Sequence, residues 1–89
     1  MKASKIAQFS ATGDVITRSS NLRSVVLTAG SDAATATVKA GGSSGTTILT
    51  IKAATATTVP SGDLHDALCS GGIYVTLAGT GPVVTFVYT

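Results

Sequence analysis

Residues 27–53 read LTAGSDAATATVKAGGSSGTTILTIKA, two runs rich in Thr, Val, Ile and small residues on either side of AGGSSG. In the first, Ala34, Ala36 and Val38 alternate with Thr35, Thr37 and Lys39. In the second, Leu49, Ile51 and Ala53 alternate with Ile48, Thr50 and Lys52. A period of two gives each run one apolar face, so the stretch predicts a β-hairpin. Its tip, residues 41–45, carries three glycines that accept positive φ, and its length predicts an open loop rather than a tight two-residue turn.

The same alternation recurs on both sides of this hairpin. Residues 14–18 (DVITR) and 22–28 (LRSVVLT) are strand candidates separated by the turn cluster SSN, with Val25 and Leu27 on the face opposite Val26. ATATTVP reads as a short extended segment that stops at Pro60, since proline cannot donate to a ladder and belongs at an edge. Near the end of the sequence, Ile73, Val75 and Leu77 share a face, as do Val84, Phe86 and Tyr88, with GTGP as the turn between the two strands. Only residues 61–70 look helical: Asp63 would cap a single turn with Leu64, Ala67 and Leu68 on one side. Residues 1–13 lack a sustained period and read as an extended arm or an edge strand, which either docks on something else or frays. About seven short strands with turn signals every 8–12 residues predict a small antiparallel β-sandwich or jelly-roll-like barrel over residues 14–89. Threonine suits such strands, because its branched side chain packs on a pleated surface while its hydroxyl keeps the outer face wettable without charge. With few lysines to blunt them, the edges are expected to pair with another chain.

Composition narrows the function classes. A chain of 89 residues encloses one core with little margin to spare. A single cysteine leaves no disulfide, and one Cys with one His excludes a structural zinc site; no cofactor is expected. Charged residues are 11% of the chain, less than half the usual share, and mean hydropathy is +0.44, which fits a surface largely hidden by neighbours. The net charge of +2 comes from scattered basic residues, so a nucleic-acid partner is not expected. MKASKIAQFSATG lacks the apolar run of a secretory signal, and no apolar stretch is long enough for a membrane-spanning helix. Synthesis in the cytoplasm and no membrane partner are the expectations.

Candidate chemistry is sparse. GGSSG matches G-x-S-x-G, but the strand-like TTILTIKA follows where a hydrolase needs a helix, so it reads as a hairpin tip. The same glycines lack the Lys-Ser/Thr ending of a phosphate-binding loop. Asp63, His65 and Asp66 are the one cluster with metal or acid-base potential, and as a solvated helix start they need no such role. Cys69 reads as a small buried side chain rather than a nucleophile. Lys2, Lys5, Arg18 and Arg23 precede Asp32, Asp63 and Asp66, which makes either a basic side that meets an acidic partner or an ordinary solvated face. No catalytic or metal-binding residues are expected.

VVLTAGSDAATATV, GSSGTTILTIKAA and GGIYVTLAGTGPVVTFVY together resemble small structural proteins of tailed double-stranded-DNA bacteriophages, in which a TAGSDAAT-type turn precedes a strand and a final Gly-Ile/Leu-Tyr-Val hairpin ends at Tyr. The resemblance covers residues 22–88 and leaves out the first 21. It implies a non-enzymatic virion component with a β-sandwich fold. The implied role is a capsid cement or decoration protein on the outer shell, a homotrimer that stabilises contacts between capsomers of the major capsid protein. An N-terminal arm would reach coat or sister subunits, with Lys2, Lys5, Ile6, Phe9, Arg18 and Arg23 as the expected interface residues. A head fibre, neck or tail component is the alternative. A carbohydrate-binding β-module is a third, weakened by an aromatic content of 4% with only Tyr74 and Tyr88 carrying a ring and a hydroxyl.

Overall fold

The computed structural model describes residues 5–62, 64 and 67–89, so Lys2, Asp63, His65 and Asp66 lie outside the described residues. The chain is all-β. Its strands are β1 (Lys5–Phe9), β2 (Gly13–Ile16), β3 (Ser20–Thr28), β4 (Ala34–Ala40), β5 (Thr46–Ala53), β6 (Thr58–Pro60), β7 (Ala67–Cys69), β8 (Ile73–Ala78) and β9 (Val83–Tyr88). They form two antiparallel sheets. Sheet A has the order β1-β9-β3-β6, with β7 also on β3; sheet B has the order β2-β8-β4-β5. The chain changes sheet at every connection except β4–β5 and β6–β7, and this gives the strand order of a jelly roll with β7 as an addition.

Alternation in the sequence explains the core directly. From sheet A, Leu22, Val25, Leu27, Val84 and Phe86 are fully buried; from sheet B, Ala36, Val38, Ile73 and Val75 are, with Ala34, Ile51 and Ala53 nearly so. Both runs of the central hairpin thus turn their apolar face inward. One irregularity sits on β5, where Val38 pairs with Leu49 and Lys39 with Thr47, leaving Ile48 as a bulge. The hairpin tip is open, and Gly41 and Gly42 have φ of 97° and 95°.

Three expectations change. Among the described residues nine strands replace about seven, because the segment read as an arm or edge strand and the one read as a helical turn both contribute a paired strand. Residues 5–13 of the expected arm belong to the sandwich: β1 runs along β9 in unbroken register from Lys5↔Tyr88 to Phe9↔Val84. In the expected helical segment Ala67–Cys69 form β7, while Leu64 lies outside it and its carbonyl accepts from Ala67 N–H at 3.2 Å. Strand β7 lies along the length of β3 that β6 leaves uncovered, pairing Cys69 with Ser20 and Ala67 with Leu22. Cys69 points inward, fully buried, and Leu68 outward, at 70% exposure. Finally, β8 and β9 are not a hairpin. They lie in opposite sheets, since residues 79–82 carry the chain across the sandwich.

That crossing packs on a second one, the β3–β4 connection. Ser31 N–H donates to the Thr80 carbonyl at 3.2 Å, and the Thr80 hydroxyl donates to the Asp32 carboxylate at 2.7 Å. A Cβ on Gly30 would collide with the Thr80 carbonyl oxygen, so only glycine allows the two arches to approach. TAGSDAAT and LAGTGPVV, alike in sequence, are these two paired arches.

Candidate interaction surface

The two outward faces of the sandwich differ in chemistry. On sheet B the rows across the strands are Asp14-Tyr74-Lys39-Thr47, then Thr76-Thr37-Thr50, then Ala78-Thr35-Lys52. Threonine and all three charged residues of the sheet B strands face this way. It is a face that water solvates well.

On sheet A the corresponding rows are Ile6-Val87-Ser24, then Gln8-Thr85-Val26-Pro60, then Val83-Thr28-Thr58, with Asn21 and Leu68 beside them. None of these residues is charged. The only charged residues of the sheet A strands are Lys5, at the start of β1, and Arg23, the half-buried bulged residue of β3. Among the described residues, both strongly exposed large hydrophobic side chains, Ile6 and Leu68 at 70% each, lie on this face. Four of its polar side chains bond in pairs: Gln8 Nε2 donates to Thr85 Oγ1 at 3.2 Å, and the hydroxyls of Thr28 and Thr58 are 3.1 Å apart. Groups already paired within the face cost less to remove from water than free ones.

The expected interface residues come together only in part. Lys5, Ile6 and Phe9 are all on β1. Lys5 is opposite Tyr88, which is opposite Leu22, so Lys5 and Arg23 lie at one end of the sandwich, and Arg18 is exposed in the turn that leads into β3 at that end. Ile6 points outward. Phe9 instead turns toward the core and meets Phe86 edge-on, with ring centroids 6.4 Å apart and planes at 78°. Arg23 presents its backbone carbonyl to Leu64 N–H at 2.7 Å. Val26, Leu68, Val83 and Val87 were missed by the sequence reading. For Val83 and Val87 a signal is present: in VVTFVY both alternating sets are largely apolar, a pattern of strands covered on both sides.

No catalytic constellation forms among the described residues, which hold no group of three His, Cys, Asp or Glu side chains placed to bind a metal. Ser43 and Ser44 sit in the hairpin tip, closed by Gly45 N–H donating to the Gly42 carbonyl at 2.9 Å. Burial pushes the Cys69 thiol above its ordinary value, which makes it a poorer nucleophile at neutral pH. An open groove of about 330 Å³ runs between the β5 and β6 edges, lined by Leu49, Ile51, Val59, Pro60 and Leu64 among others. Its lining has no aromatic ring on which a sugar could stack. No helix among the described residues is long and apolar enough to cross a membrane. No protein-family model matches the chain, and no curated protein matches it.

Proposed function

We propose that this chain is a non-catalytic structural protein of a tailed-bacteriophage virion, a cement or decoration protein that lies on the outer capsid surface and contacts the major capsid protein. The observation that supports it best is the contrast between the two faces. A module seated on a larger surface needs one side that gives up water cheaply and one that stays wet, and sheets A and B supply these in that order. Binding across neighbouring coat subunits favours the assembled shell by mass action, because the bridge is lost when the subunits separate. The likeness of residues 22–88 to phage structural proteins points the same way.

Copy number in purified virions tests this reading. Quantitative mass spectrometry together with imaging of the shell should find on the order of hundreds of copies on the capsid lattice, as many as the coat contacts to be bridged. A dozen or fewer copies at the neck or tail would move the chain to that part of the particle. Absence from virions would end the proposal.

A further inference from the structure

The four outer edges of the sandwich are unequal. At one margin of sheet B, β2 has four residues, a register break between Asp14 and Ile16, and a charge at Asp14. At the other, β5 is bulged at Ile48 and carries Lys52. The far edge of sheet A is split between β6 and β7, three residues each, and β6 ends in Pro60. Shortness, bulges, charge and proline are the devices that keep an edge from pairing with another chain. β1 has fewer of them. It is regular over five residues, its one charge is at its first position, and Ile6 stands 70% exposed on it.

We propose that the open edge of β1 pairs antiparallel with β1 of a second copy across a two-fold axis, joining the two A sheets into one. With the axis near Ile6 or Ala7, Lys5 meets Ala7 or Phe9 of the second copy and never its own equivalent, so no like charges oppose the pairing. A two-fold contact requires only this one edge, used twice. A three-fold ring would instead set β1 against a different edge of the next copy, and the other edges are the blunted ones. Area argues for the same occupant. Four strands about 4.8 Å apart and a longest strand of nine residues give the outer face of sheet A roughly 600 Å². A stable interface takes about 800 Å² from each partner, and two joined faces exceed that. This last point rests on the docking role proposed for the face; the edge argument does not.

Native mass spectrometry of the full chain at micromolar concentration, with no particles present, reads the assembly directly. A dimer is expected, with the amides of residues 5–9 exchanging more slowly as concentration rises. Ile6→Lys, which brings two cations to the seam, should weaken the dimer more than tenfold while leaving the far-ultraviolet circular dichroism of the monomer unchanged. Leu68→Glu, on the same face but at the far side of the sheet, should leave the dimer intact. A monomer or a trimer overturns the proposal, as does a dimer whose β1 amides exchange no more slowly than in dilute protein. Because virion copy number is measured separately, failure here and failure of the capsid role are told apart.

Discussion

At the scale of single residues, Cys69 is the clearest case of environment overriding intrinsic chemistry. Its side chain is fully buried, and its thiol donates weakly to the Ala67 carbonyl oxygen, 3.8 Å from the sulfur. Loss of hydration would penalise the thiolate, so the folded chain holds the proton more tightly than the unfolded chain. The associated stability is therefore fully present below the unfolded thiol value and is lost as pH rises from there through the folded one. Urea denaturation at pH 7 and pH 10 should show a larger alkaline loss for the native chain than for Cys69→Ala. A thiol reagent at pH 7 should label Cys69 slowly until denaturant is added. Equal losses and immediate labelling would refute the buried-thiol account.

At the scale of elements, β1 is part of the fold as well as an edge. Phe9 packs on Phe86, the largest fully buried side chain, and β1 covers the outer side of β9 along five paired positions. Phe9→Ala is expected to cost about 2–3 kcal/mol, toward the lower end for aromatic truncations because the ring is only partly buried. Deleting residues 1–9 should cost more, since β9 then becomes an open edge beside an uncovered Phe86. Thermal unfolding followed by circular dichroism separates this from a dispensable arm: an unchanged midpoint for the truncated chain would show that β1 contributes nothing to the fold. The inward alternation of β1, with Ala7 and Phe9 more buried than Ile6 and Gln8, was present in KIAQF. It was hard to use because five residues give only two full periods, and Lys5 and Gln8 at either side mask them.

At the scale of the whole molecule, the unequal faces predict an asymmetric response to added charge. Leu68→Glu places a carboxylate on the uncharged face of sheet A, whereas Thr50→Glu adds one to the polar face of sheet B. In a particle-binding assay with labelled protein, the first should reduce capsid occupancy at least tenfold and the second should change it little. Equal effects would mean that the faces are not distinguished by what they touch. The sequence by itself determined the β class, the central hairpin with its open tip, and the inward set Val25, Leu27, Val38, Ile51, Val75, Val84 and Phe86, because a period of two is a local property of the chain; Leu22, out of phase with Val25, turns inward only through the bulge at Arg23. Sheet membership was another matter. Whether two successive strands pair or cross between sheets depends on which distant strand offers a free edge, so β8 and β9 look like a hairpin in sequence and separate in space. The difference between the faces is of the same kind: Ile6, Val26, Leu68 and Val87 come from four strands, and only the tertiary register of β1, β9, β3 and β7 sets them on one surface.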